Sequence, residues 1–160
     1  MPPSTTCKSL ELVLQSKCRN KPGDSVQQWS DASTLKSIPN PSKSGYEIKV
    51  KSSEVTFLGV KNQPDFADLY LTFYPKDKVI ELKSLKLYLQ QFRDKILSYE
   101  RLINVIYDDL MTSYDPERLR IVMVFNPRGG ISSKLTIDSD WMARGGQERY
   151  NDWSGVKDEW

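Results

Sequence analysis

Residues 81–88 read Glu81-Leu-Lys-Ser-Leu-Lys-Leu-Tyr88, and this octapeptide decides how the rest of the chain is read. It follows an apolar strand end and opens an amphipathic helix, in which Leu85, Tyr88, Leu89, Phe92 and Ile96 recur at helical spacing. A strand-to-helix junction presents unpaired backbone N–H groups and the positive end of a dipole, so it suits anionic groups. Lys83 and Lys86 lie three apart and are neighbours on one helix face. By themselves these features suggest a phosphate contact. For Lys86 alone, a solvated helix face is an equally good explanation.

Outward from the octapeptide, Tyr46-Glu-Ile-Lys-Val50 alternates as a strand should, and Val55-Thr-Phe-Leu58 is a second short extended piece. Asp68-Leu-Tyr-Leu-Thr-Phe-Tyr74 is the clearest strand. Leu69, Leu71 and Phe73 share one face, and Tyr70, Thr72 and Tyr74 the other. After the first helix, Ser98 is placed to cap a second whose stripe is Leu102, Ile103, Ile106 and Leu110. Asp115-Pro-Glu117 makes a turn or one short helical turn. Leu119–Phe125 is another strand and Lys134–Asp138 a weaker one. The order of strands, two helices and strands predicts an α+β fold: a four-stranded antiparallel sheet with two helices on one face. Such a sheet leaves edges and an open face, so the unit is expected to oligomerise into a β-barrel.

The chain has 160 residues, 38% of them hydrophobic, which supports one domain with a modest core. The expected division is an N-terminal arm, partly flexible, over residues 1–43, a folded domain over 44–138 and a tail over 139–160. Leu10, Leu12, Val13 and Leu14 suggest a short helix or docking strand, and Asn20–Asp24 a turn. The tail carries Trp141, Trp153 and Trp160 without clear periodicity. A net charge of +2 argues against nucleic acid as a partner, and no apolar run approaches the length that spans a membrane. The N-terminal residues lack the apolar segment of a signal peptide, so a cytoplasmic location is expected. Histidine is absent, which excludes serine–histidine and cysteine–histidine catalysis within one chain and disfavours imidazole-bound zinc. No metal is expected. Cys7 and Cys18 read as free thiols in the arm, with a disulfide between them as the less favoured alternative.

Three further segments could carry chemistry. Gln63-Pro-Asp-Phe66 sits before the main strand, where a turn is the plain explanation. Glu100 opens the second helix, where the dipole favours a carboxylate. Asn126-Pro-Arg-Gly-Gly-Ile131 reads as a turn in which Gly129 and Gly130 permit close backbone approach and Arg128 offers a fork to phosphate.

The octapeptide closely resembles the cofactor motif of the NADPH-dependent 7-cyano-7-deazaguanine (preQ0) nitrile reductases, a family of the tunnelling fold (T-fold). Together with Leu35–Pro41, Gln63–Phe66, Glu100 and Asn126–Ile131, the resemblance spans roughly residues 30–138. It implies that NADPH is held by Leu82, Lys83, Ser84, Lys86, Arg128 and Gly129. It implies that a 7-deazaguanine or purine-like base is held by Ile80, Glu81, Leu82, Tyr99 and Glu100. Glu100 would grip the N–H edge of the ring through two parallel hydrogen bonds, and Asp65 matches the proton donor. It further implies a homo-oligomer with sites at subunit boundaries and a place in queuosine and 7-deazaguanine biosynthesis.

The chain departs from the family at the nucleophile. The reductases use a cysteine seven positions before the aspartate, and here that position is Leu58, which cannot form the covalent thioimide. The family histidine before the glutamate is Tyr99. Cys7 or Cys18 from another subunit, Thr56 and Lys61 are the alternative nucleophiles. Three functions remain open: a reductase of this pathway or a relative with altered chemistry; a non-catalytic 7-deazaguanine or purine-binding protein or partner subunit; and a different reaction in the same pocket, such as transfer to nucleic acid.

Overall fold

The computed structural model of the chain describes residues 28–140. Expectations for the two cysteines, the Leu10–Leu14 segment, the turn at 20–24 and the three tail tryptophans lie outside the described residues. The elements are β1 (Ser37–Pro39), β2 (Ile48–Leu58), β3 (Pro64–Tyr74), β4 (Lys78–Ile80), α1 (Leu82–Gln90), α2 (Tyr99–Tyr114), β5 (Arg118–Arg128) and β6 (Ile131–Asp138). β2, β3, β5 and β6 form one antiparallel sheet in that order, and β1 pairs with β4 in a separate two-stranded sheet. No helix among the described residues is long and apolar enough to cross a membrane.

Alternation builds the core. Val55 and Phe57 from β2, Ala67, Leu69, Leu71 and Phe73 from β3, and Leu119, Ile121, Met123 and Phe125 from β5 are all buried on one face. Leu85, Tyr88 and Leu89 of α1 and Leu102, Ile103, Ile106 and Leu110 of α2 pack onto that face in a single apolar cluster. Each fully buried Phe or Leu contributes about 1.5–3 kcal/mol. Both helices therefore cover the same side of the sheet, as the sequence predicts.

Local details differ from the sequence reading where tertiary pairing overrides short-range pattern. The two extended pieces at 46–50 and 55–58 are one strand, kept in register with β3 by a bulge between Ser52 and Val55. Of Gln63–Phe66 only Gln63 lies in the loop: Pro64 opens β3 and Asp65 pairs with Phe57. The α-helical part of the first helical segment ends at Gln90 and a 3-10 turn over Gln91–Asp94 follows. Ile96 thus falls outside the helix, half exposed, bridging to Leu58.

Residues 28–43, grouped above with the arm, are tied to both helices. The Lys36 carbonyl accepts from the Glu81 N–H at 3.2 Å and the Tyr114 hydroxyl at 3.0 Å, and the Lys36 N–H donates to Ser84 Oγ at 3.0 Å. Ser30 and the buried Tyr88 hydroxyl both donate to the Asp109 carboxylate. Burial first, and that carboxylate second, push the Tyr88 phenol far above its ordinary value.

At the end of β6 the fully buried Asp138 carboxylate accepts two bonds from Arg118, at 3.1 and 2.9 Å. Removing Arg118 leaves that charge buried with, among the described residues, the Asp140 N–H at 3.0 Å as its remaining donor. Arg118→Ala is expected to lower stability by about 3 kcal/mol, read as a shift in urea midpoint at unchanged slope.

Candidate functional site

One cluster forms where β2 turns into β3. The chain reverses through Gly59–Gln63, with Lys61 and Asn62 in the left-handed region at φ 65° and 58°. Asp65 is buried at the start of β3, and Arg128 Nη1 donates to its Oδ2 at 2.9 Å. Arg128 reaches it because β5 bulges between Phe125 and Arg128, around Pro127, which has no N–H to give to the ladder. Gly129 and Gly130 then close the β5–β6 hairpin at φ 58° and 80°, the two positive values that a two-residue hairpin turn demands.

Gly59 is the floor of this pair. A Cβ there would lie 2.5 Å from Asp65 Oδ2 and 2.8 Å from Arg128 Nη1. The sequence reading passed over Gly59, because nothing local signals that a side-chain pair from two other strands rests on it. Tyr99 completes the cluster. Its ring stacks on Phe125, with centroids 4.0 Å apart and planes 7° apart, and meets Phe57 edge-on at 5.7 Å. Burial first, then the charge of the Asp65 carboxylate, hold the Tyr99 phenol above its ordinary value, so it remains a hydrogen-bond donor at neutral pH. Glu100, next to it in the first turn of α2, is exposed in the single chain.

Leu58 is half-buried beside this cluster and pairs with Pro64, the residue before Asp65. Its N–H donates to the Lys95 carbonyl and its carbonyl accepts from the Leu97 N–H, both at 2.9 Å, so its backbone is fixed on both sides. Of the alternative nucleophiles, Thr56 is half-buried in β2 and Lys61 is exposed in the turn.

The octapeptide lies elsewhere. Tyr99 at the start of α2 touches the Asp65 cluster, whereas Tyr114 at its end bonds to Lys36, the residue that holds Glu81 and Ser84. Fifteen helical steps at 1.5 Å separate the two ends by about 22 Å. Ile80, Glu81 and Leu82 are therefore not brought to Tyr99 and Glu100 within one chain, nor Lys83, Ser84 and Lys86 to Arg128 and Gly129.

Two octapeptide side chains are already engaged. The Glu81 carboxylate caps α1, accepting from the Lys83 N–H at 2.9 Å and the Ser84 N–H at 2.8 Å. The N–H groups that the sequence offered to an anionic ligand are thus satisfied by the chain's own carboxylate. Buried Ser84 donates to the Glu81 carbonyl at 2.8 Å and accepts from Lys36. Lys83 and Lys86 are exposed and make no ion pair among the described residues. Lys86 borders a groove of about 470 Å³ between α1 and the bulge of β2, with Val50, Leu85 and Leu89 among its apolar lining. Its size and its unpaired cation fit an anionic cofactor.

The sequence profile of a family described as QueF-like protein matches residues 64–143. A NADPH-dependent 7-cyano-7-deazaguanine reductase of Gloeobacter violaceus is 42% identical over 103 residues, covering 63% of this chain and 75% of the relative. The reductase of the same name from Nitratiruptor sp. is 35% identical over 116 residues, covering 72% of this chain and 88% of the relative. That from Prochlorococcus marinus is 44% identical over 102 residues, covering 62% and 75%. Among solved structures, the apo form of the archaeosine synthase QueF-Like matches with a TM-score of 0.53 at 13% identity, over 61% of this chain and 95% of that one. That likeness speaks for the fold, the α+β tunnelling fold.

Two predictions follow from this geometry. Gly59→Ala should break the Asp65–Arg128 pair and lower stability by about 1–3 kcal/mol. Combined with Arg128→Ala, its cost in urea unfolding should be clearly less than additive, because one pair is lost twice. Glu81 supplies a pH dependence. The hydrogen bonds from Lys83 and Ser84 hold its carboxyl below the ordinary value. A group lowered on folding stabilises above its unfolded pKa, and this contribution is lost as pH falls through the folded value. Glu81→Gln should therefore flatten the acid limb of the stability–pH curve and leave its shape above neutrality unchanged.

Proposed function

This chain belongs to the QueF-like family of NADPH-dependent 7-cyano-7-deazaguanine reductases, and from that premise we propose that it binds a 7-deazaguanine-type base and NADPH without covalent capture of the base. The observation that carries the reading is Leu58. It stands seven positions before Asp65 with a fixed backbone, and its side chain offers no atom that can attack a nitrile carbon. Around it the groups for ring recognition persist. Tyr99 presents a hydroxyl where the family has histidine, and Glu100 presents a carboxylate suited to two parallel N–H donors of a guanine-type edge.

The 22 Å separation points to sites shared between copies. β2 and β6 are the edges of the described sheet and leave backbone groups unpaired, so copies that join edge to edge close a barrel. The Asp65 end of one copy can then meet the octapeptide end of another, with NADPH held by Lys83 and Lys86. When bound, NADPH supplies hydride. The chain's own part is to grip the base at Glu100 and Tyr99, to present Asp65 as an acid, and to neutralise phosphate with lysines and Arg128.

Calorimetric titration with preQ0, guanine and NADPH separately, followed by intact mass, tests this. Expected are binding of preQ0 and NADPH, no covalent adduct, and a loss of about 100-fold in base affinity for Glu100→Gln. Leu58→Cys should gain a preQ0 adduct. An adduct on the wild-type chain, or NADPH consumption that depends on preQ0, overturns the non-covalent reading in favour of a reductase. If neither guanine nor preQ0 binds, base recognition at Glu100 is lost with it.

A further inference from the structure

Leu58 does more than lack a thiol, because the backbone around it has no freedom to give way. Phe57 before it is fully buried and pairs with Asp65. The Leu58 N–H and carbonyl are both held by the segment from Lys95 to Leu97, which bridges to β2 at Ile96. Gly59 after it is buried, and its N–H donates to the Gln63 carbonyl at 2.8 Å. The space where a Gly59 side chain would stand is filled by the Asp65–Arg128 pair. The chain over Phe57, Leu58 and Gly59 can therefore neither withdraw nor slide to make room for a ligand group at Leu58.

A thioimide bond made from this position in the reductases sets residue 58 against the substituent on ring position seven. Leucine there is branched and larger than cysteine, and close-packed surroundings do not absorb added volume without cost. It also has no polar atom, so a nitrile brought against it loses water and gains no hydrogen bond. Both effects act against a base that carries a nitrile or an aminomethyl group at position seven. Neither acts against a base that carries only hydrogen there, whose C–H edge meets an apolar side chain. We propose that Leu58 is a specificity-determining residue, and that the site takes a 7-deazaguanine with no substituent at position seven in preference to preQ0. This rests on the base-recognition reading above and narrows it to one class of base.

The test is calorimetric titration of the full chain with 7-deazaguanine and with preQ0, on wild type and on Leu58→Ala. Wild type should bind 7-deazaguanine at least about tenfold tighter than preQ0, the discrimination that one surplus group gives in a closed pocket. Leu58→Ala should raise preQ0 affinity by about the same factor and leave 7-deazaguanine affinity within about twofold. Leu58 is half-buried and its two backbone bonds do not involve the side chain, so the variant should keep the fold. Should it unfold, the wild-type ratio decides alone. Equal wild-type affinities for the two bases overturn the proposal and leave base recognition standing. An equal change for both bases in Leu58→Ala also overturns it, because Leu58 would then not read position seven. A wild-type chain that binds neither base removes base recognition and this selectivity with it.

Discussion

The length of α2 is the constraint on which the functional geometry depends. The helix runs from Tyr99, against the Asp65 carboxylate, to Tyr114, against the Lys36 carbonyl that anchors the octapeptide. Its apolar stripe of Leu102, Ile103, Ile106 and Leu110 is buried on the sheet, so it can neither bend nor slide without exposing the core. A rigid rod of about 22 Å therefore holds the two groups of candidate residues apart. Any chemistry that drew on both ends of α2 would need a second chain.

At the Asp65 end, three strands and one helix converge on a space the size of a missing methyl group. Gly59 provides it, the bulged β5 delivers Arg128 into it, and the Phe57–Tyr99–Phe125 aromatic cluster walls it. The Asp65 carboxylate is thus held in a fixed pair with Arg128 rather than free on a loop. At the other end Glu81 and Ser84 serve the fold first: one caps α1 and the other ties it to the strand segment at Lys36. This leaves the lysines, and not the helix N-terminus, as the groups available to an anion.

In the proposed reading, the departure at Leu58 changes chemistry without changing architecture. A leucine satisfies the same backbone bonds as any other residue there, so the fold is indifferent to the loss of a thiol. Covalent capture depends entirely on that one atom. Ring recognition, as proposed, is spread over several groups and does not depend on that atom.

Much of this was legible in the chain itself. Alternation in Leu69, Leu71 and Phe73 and the helical stripes of α1 and α2 report which faces are buried, because burial acts on every residue in proportion to its apolar area. Ser98 as a cap, Asp115–Pro116 as a stop and the Gly129–Gly130 turn are likewise local, set by backbone sterics within a few residues. The family resemblance was carried by residues in order along the chain. Tertiary structure alone decided that Val50 and Val55 belong to one bulged strand, that Asp65 starts β3, that Gly59 must lack a side chain and that Glu81 caps its own helix. It also decided that the candidate site residues divide between two ends of the domain. Each of these depends on which distant segments come within hydrogen-bond reach, a relation fixed by strand register and helix length that no window of neighbouring residues contains.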